Sequence, residues 1–318
     1  MARQTRREFL KTTATVGGAL AFTPYAGWAQ SDVTAAATED LGSLVMGIAR
    51  WQSGVDAEDR TVATKLTEQA IAALGGMERF VSRGDVIWIK PSIGWNRAPE
   101  LAANTNPHVV ATLARLCFTA GAKKVKIGDN SCHTASQTYQ TSGIEAAARE
   151  VDAEMIYLDE RRFKDVALNG KRLDSWPLYP EIIDCDLVIN VPVVKHHSLS
   201  RVSLGMKNYM GIIGGDRGLW HQALPECLCD ITAFMKPRLC VLDGFRALIA
   251  HGPQGGNPAD VKRMNVVAAS TDIVALDSFG AELLGHKPES IATVRAGSAA
   301  GLGQMDYRSV PRSEVIVS

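Results

Sequence analysis

Short apolar runs recur along this chain, and most are continuous where half-buried strands would alternate. VIWIK (Val86–Lys90), MIYLD (Met155–Asp159), LVINVPVV (Leu187–Val194), LCVLDGF (Leu239–Phe245) and VVAAST (Val266–Thr271) read as strands, and KVKI (Lys124–Ile127) leads into Gly128. A strand that is apolar on both faces must be covered on both faces. Helical patterns lie between the runs: Asp59 to Leu74, stopped by Gly75-Gly76; VVATLARLCFTA, opened by Asn106-Pro107 and stopped at Gly121; Gly143 to Asp152; Asp230 to Met235; and Asp272 to Leu284, stopped by Gly285. Asparagine at the cap and proline at the first helical position are a helix start, and glycine past the last turn is a stop. Strand–helix alternation of this kind predicts an α/β fold, a mostly parallel twisted sheet with helices on both faces, Rossmann-like. Residues 30–318 are expected to form one domain, with a possible short β-hairpin in the proline-interrupted stretch Leu168–Asp184.

One strand carries the densest chemistry. LVINVPVVKHHSLSRVSLGMKNYMGIIGG (Leu187–Gly215) delivers Lys195, His196 and His197 after its apolar run, and Lys207 and Asn208 follow just before a glycine-rich turn. Cations, imidazoles and an amide are costly to bury without partners, so a ligand, a cofactor or a metal is the expected partner. Other strands also empty into polar residues: Lys90; Asp129, Asn130 and His133; Asp243; Thr271 and Asp272. In an open parallel sheet the carboxyl ends share one edge, where ligands bind at a switch in strand order. Arg217, after Gly214-Gly215, is placed to clamp a phosphate or carboxylate. The loop Gly252–Asn257 reads as a plain surface loop first and a lid second. No G-x-G-x-x-G follows the first strand, and neither a P-loop nor a G-x-S-x-G elbow is present, which disfavours those three kinds of site.

The amino terminus points to export. Thr5-Arg6-Arg7-Glu8-Phe9-Leu10-Lys11 reads as a twin-arginine signal, followed by a small-residue apolar run (Ala14–Phe22) and a cleavage site at Gly27-Trp28-Ala29. The expected compartment is the periplasm, reached through the twin-arginine export machinery. No stretch is long and apolar enough for a stable membrane span. The chain has formal net charge +0, and residues 1–29 hold four basic residues against Glu8, so the remainder is slightly acidic. No basic stripe with interleaved aromatics is present, which argues against a nucleic-acid partner. The six cysteines form no CxxC pair, and no spacing suits an iron–sulfur cluster.

VPVVKHHSLSRVSLGMKNYMG, IKPSIGW, TNPHVV, AGAKKVKIGDNS, the Gly252-Pro253 loop and STDIVALD together make the chain resemble domain-of-unknown-function family 362, in its twin-arginine-exported form. The resemblance runs from about Gly47 to Gly303. Longer relatives in that family carry a ferredoxin-like iron–sulfur module, whose clustered cysteines this chain lacks. A more distant likeness is to the amino-terminal domain of the lactate racemases, which hold a nickel-bearing pincer nucleotide on a lysine. His197 precedes Lys207 by a spacing similar to that of the racemase histidine and its cofactor-bearing lysine, and His221 lies where a metal-binding histidine would sit. The racemases' glycine-rich approach to that lysine is replaced here by Leu204-Gly205-Met206.

Three readings follow. In the first, the protein is an enzyme for a small anionic substrate, with acid–base (proton or hydride transfer) chemistry. His197, Lys207 and His133 are then catalytic, Lys195, Asn208, Arg217, Lys90 and Asp129 hold the ligand or cofactor, and His221 and His196 are metal ligands. In the second it is a non-catalytic protein that holds or delivers a metal or a nucleotide-type cofactor. In the third it is a structural body that docks on a membrane partner.

Overall fold

The computed structural model describes residues 44–52, 54 and 57–318; the twin-arginine segment lies outside the described residues. The strands of the main sheet are β1 (Met46–Trp51), β2 (Val86–Pro91), β3 (Lys124–Ile127), β4 (Glu154–Met155), and, after the hairpin β5 (Lys164–Ala167) and β6 (Ser175–Leu178), β7 (Leu187–Val191), β8 (Val193–His197), β9 (Arg201–Ser203), β10 (Leu239–Leu248), β11 (Val261–Ser270) and β12 (Arg312–Val317). Their order is β12-β1-β11-β10-β7-β2-β3-β4, with β8 and β9 running off β10. The pairs from β10 through β7, β2 and β3 to β4 are parallel, while β11 is antiparallel to both β1 and β10. The chain therefore starts this parallel block at β2, moves outward to β3 and β4, and returns on the other side of β2 as β7. The strand order reverses between β2 and β7, which is where an open α/β sheet leaves a crevice.

Alternation along each strand feeds two cores. Trp88 belongs to one buried cluster and its neighbours Ile87 and Ile89 to the other, as the period of two dictates. Helices α1 (Asp59–Ala72) and α2 (Pro107–Thr119) cover the second cluster. The shorter α3 (Ala135–Thr141) and α4 (Ile144–Glu150) add Tyr139 and Ile144 to it. On the other face lie the single turns α5 (Pro180–Ile183) and α6 (Gly205–Asn208), with α7 (Leu224–Met235), α8 (Ile273–Leu283) and α9 (Ala292–Ala299). The caps are those that the composition implies. Asn106 Oδ1 accepts from His108 N at 2.8 Å and Asp272 Oδ1 from Ala275 N at 2.9 Å. No helix among the described residues is long and apolar enough to cross a membrane.

Three sequence expectations need correction. MIYLD contributes only Met155 to the sheet, through the two-residue β4. The hairpin in the proline-rich connection is real but begins earlier, at Lys164. The run Leu187–Val194 is two strands, broken at Pro192, whose ring removes a ladder donor while its carbonyl accepts from Asp243 N at 2.9 Å. Before the break β7 pairs with both β2 and β10; after it β8 pairs with β10 and β9 and no longer with β2. Lys195, His196 and His197 thus lie within β8 itself.

Candidate functional site

The split between β2 and β8 opens a cavity of about 420 Å³ at the carboxyl edge of the sheet. Thr105 ties β2 to β7 where the split begins. The hydroxyl donates to Val191 O (2.7 Å) and accepts from Ser92 N (2.8 Å), satisfying ladder groups that lose their partner where the strands part. Lys195 then bridges the gap, its Nζ donating to Ser92 Oγ at 3.0 Å and to Ala103 O at 2.8 Å. Four cations, Lys90, Lys195, Lys207 and Arg217, line the cavity with a single carboxylate, Asp129.

That carboxylate is already committed. Asp129 Oδ1 lies 2.9 Å from Lys90 Nζ and Oδ2 accepts from Ile93 N at 2.7 Å. Lys90 is 1 % exposed; burial pulls its pKa below the ordinary lysine value, opposed by the Asp129 charge. Its ammonium also donates to Asn208 Oδ1 at 2.8 Å, and Asn208 Nδ2 donates to Lys90 O (3.1 Å) and Asn190 Oδ1 (2.8 Å). Asn190 Nδ2 in turn reaches Gly205 O at 2.8 Å. From the other side the Asp277 carboxylate accepts from the amides of Gly205 and Met206. Burial raises the Asp277 pKa to about 7, opposed by those two amide bonds. This network fixes α6, the turn that carries Lys207. Gly211 closes over it: a Cβ there would meet Asp129 Oδ1 at 1.6 Å and Lys90 Nζ at 2.5 Å, so no side chain fits.

Lys207 is the least compensated cation. Its Nζ has Met210 Sδ at 3.3 Å and His221 Nε2 at 3.5 Å as neighbours, and no carboxylate in ion-pair reach among the described residues. Burial first, then the Lys195, Arg217 and Lys90 charges, lower its pKa to about 8. Lys195, also without a carboxylate partner among the described residues, is brought to about 8 chiefly by burial.

The two histidines are held in opposite senses. His197 Nδ1 accepts from Leu199 N at 3.1 Å, so its proton sits on Nε2 and the ring offers the cavity a donor. His221 Nδ1 lies 3.2 Å from Gly218 O, and a carbonyl only accepts, so Nδ1 carries the proton and the Nε2 lone pair faces Lys207. The rings stack at 5.7 Å, 21° from parallel. Burial, reinforced by Lys207 and His221, lowers the His197 pKa to about 3. His221 is also lowered, by burial and Lys207. His197 is therefore a neutral hydrogen-bond donor at physiological pH. His221 Nε2 presents its lone pair to Lys207.

A model of the family described as Domain of unknown function (DUF362) matches residues 87–282, a span that contains every lining residue from Lys90 to Pro253. The chain belongs to the DUF362 family. A thylakoid-associated protein of Synechocystis sp. is 30% identical over 237 residues, 72% of each chain. The lactate racemase apoprotein from Thermoanaerobacterium thermosaccharolyticum is a structural neighbour at TM-score 0.47 and 11% identity. It covers 76% of this chain, which spans 58% of the racemase.

Of the residues expected in the site of this DUF362 chain, Lys90, Asp129, Lys195, His197, Lys207, Asn208, Arg217 and His221 come together around the cavity. Asn208 spends both its donors and its acceptor on protein groups, so it positions Lys90 and does not orient a ligand. Arg217 is likewise tied, its two Nη atoms donating to the carbonyls of Asn130, Met210 and Ser131. It staples the segment after β3 to the Gly211 turn and lends the cavity charge, not a free fork. His196 points to the other face of β8, where its Nδ1 accepts from Gly252 N at 3.1 Å and draws Pro253 to the cavity mouth. The Gly252 turn is pinned there, since Ser198 N also donates to Gly252 O at 3.1 Å. His133 packs edge-on against Trp95 at 5.0 Å and accepts from Asn96 N at 3.2 Å, outside the cavity lining. Asp243 lies within β10, its carboxylate holding the amides of Asn106 and Phe245, and Asp272 sits at the far edge because β11 runs antiparallel.

Sequence reasoning missed Ser92, Trp95, Cys132 and Met210 in the lining, and Asn190 and Asp277 behind it. Asn190 and Asp277 had a signal: each is a polar residue inside an otherwise apolar run. Among the described residues no three of His, Cys, Asp and Glu gather as a metal-binding group. Neither His196 nor His221 belongs to such a group.

Proposed function

We propose that this protein is an enzyme that binds a small carboxylate- or phosphate-bearing molecule in the cationic cavity and moves a proton on it. What supports this is the pair of lysines, Lys195 buried and Lys207 half-buried, that have no carboxylate to balance them among the described residues, in a cavity otherwise built with satisfied polar groups. A buried charge without a countercharge costs stability, and an anionic ligand supplies that countercharge. The ligand's anionic group rests on Lys195, His197 Nε2–H donates to an oxygen where charge develops, and the His221 lone pair takes or returns the proton.

Calorimetric titration at pH 7 with a panel of small carboxylates and phosphates is expected to find ligands whose affinity falls about tenfold or more in Lys195→Ala and in Lys207→Ala, the effect of losing one charge-assisted hydrogen bond. Affinity is also expected to fall as pH rises through about 8, where both lysines lose their protons. Unchanged affinity in both variants would remove this reading.

The volume of the cavity favours a second reading. About 420 Å³ is ample for a small carboxylate, and a nucleotide-type cofactor with its phosphate on Lys195 suits the same charge, held by a protein without turnover. In either reading we place the protein in the periplasm, with residues 30–318 as one unit, on the strength of Arg6-Arg7 and the run that follows. Changing both arginines to lysine is expected to leave the precursor in the cytoplasm on cell fractionation; normal export of that variant would exclude the twin-arginine route.

A further inference from the structure

Lys207 has features that anion binding alone does not require. A lysine that only balances charge works best fully protonated, near a carboxylate that keeps it so. Lys207 instead faces a thioether and an imidazole lone pair, and the titratable or charged groups around it are Lys195, Lys90, Arg217, Cys132, His197 and His221. The surroundings favour loss of its proton, and the 3.5 Å approach of His221 Nε2 provides an acceptor for it. Gly205 and Met206 are held from behind by Asp277, so the amine is presented from a fixed turn.

We propose that Lys207 is a covalent nucleophile that forms an imine with an aldehyde or α-keto group of an anionic substrate whose carboxylate rests on Lys195. The inference rests on the anion-binding reading and names its substrate class. The neutral Lys207 amine attacks the carbonyl carbon, a C–N bond forms, and the carbonyl π pair moves onto oxygen, which accepts a hydrogen bond from His197 Nε2–H. His221 Nε2 carries both protons of the new ammonium to the oxygen in turn: the first gives the neutral carbinolamine, and the second lets the hydroxyl leave as water while the C–O bond breaks and the nitrogen lone pair forms the C=N bond. Amine and carbonyl give imine and water, with no oxidant or reductant. The second reactant is held next to the first, which is the source of the advantage over surface lysines.

Glyoxylate with sodium borohydride tests this, read by intact mass and by peptide mapping, in parallel with calorimetry using non-carbonyl anions. Reduction of the imine leaves a stable carboxymethyl increment. The expected result is one increment per chain on the Lys207 peptide, suppressed by an anion that binds in calorimetry. Labelling is expected to be greatest near pH 8, where Lys207 supplies free amine while Lys195 still holds charge. Lys207→Arg removes the nucleophile, so it should take no increment at position 207. Anion binding without an increment at Lys207, or with increments spread over exposed lysines, overturns the imine and leaves the anion site standing. If neither binding nor labelling occurs, both readings fall together.

Discussion

Lys207→Met is expected to resist unfolding better than the parent protein at pH 7 while binding small anions about tenfold or more weakly. The fall of the lysine pKa from 10.5 to about 8 measures how much the fold disfavours the charged form. At the usual conversion that is ~3 kcal/mol, and partial solvent access to the ammonium lowers the expectation to about 2 kcal/mol. Methionine is unbranched and adaptable, and it places its thioether beside Met210 with no charge to desolvate. The folded value lies below the unfolded one, so between pH 8 and 10.5 the folded protein holds fewer protons, and the stability of the parent rises across that window. Parent and variant should therefore differ most below pH 8 and converge above 10.5. Urea titrations at pH 7 and pH 10, paired with calorimetry, measure both halves. A variant that is less stable at pH 7 would mean that the ammonium is stabilised by its surroundings, and the argument for a ligand would lose its footing. Stability gained as function is lost is the signature of a site that holds charge for a partner.

The parts of this molecule that were legible in its sequence are those decided by local chemistry. Continuous apolar runs gave the mostly parallel sheet, Asn106-Pro107 and Asp272 gave helix starts, and Gly121 and Gly285 gave stops. The crowding of Lys195, His197 and Lys207 within one segment marked the site. What the sequence hid is directional. Pro192 splits an apolar run that looks like one strand, and the split opens the cavity. Because β11 runs antiparallel, its polar end lies at the opposite edge from the others, and no residue type in VVAAST reports that direction. Period-two alternation separates His196 from Lys195 and His197, a consequence readable only once the segment is known to be a strand. Residue type also misassigned roles: Asn208 and Arg217 look like ligand-binding groups until their partners are seen to be the protein's own amides, carbonyls and Lys90. The histidine expected to titrate, His197, is the one whose burial keeps it neutral.

Asp129→Ala is expected to be the most damaging single change near the site, costing about 3–5 kcal/mol, the range for leaving one member of a buried ion pair without its partner. Lys90 at 1 % exposure would lose the charge that opposes its desolvation, with the Asn208 carbonyl oxygen left to meet its ammonium, and the Ile93 amide would lose its acceptor. The damage should propagate along the chain of contacts from Lys90 through Asn208 and Asn190 to Gly205, so Lys207 would lose its fixed position as well. A double variant separates charge from packing. In Lys90→Met/Asp129→Ala the uncompensated ammonium is gone, and chemical unfolding should recover at least about 2 kcal/mol relative to Asp129→Ala, as expected for directly coupled neighbours. If the double variant is no more stable than Asp129→Ala, the lost amide partner and the void under Gly211 dominate, and the pair contributes little. Recovery would mean that Asp129 exists to neutralise Lys90. The one carboxylate in the cavity wall would then have nothing left to offer Lys195 or Lys207, and their countercharge would have to come from outside the chain.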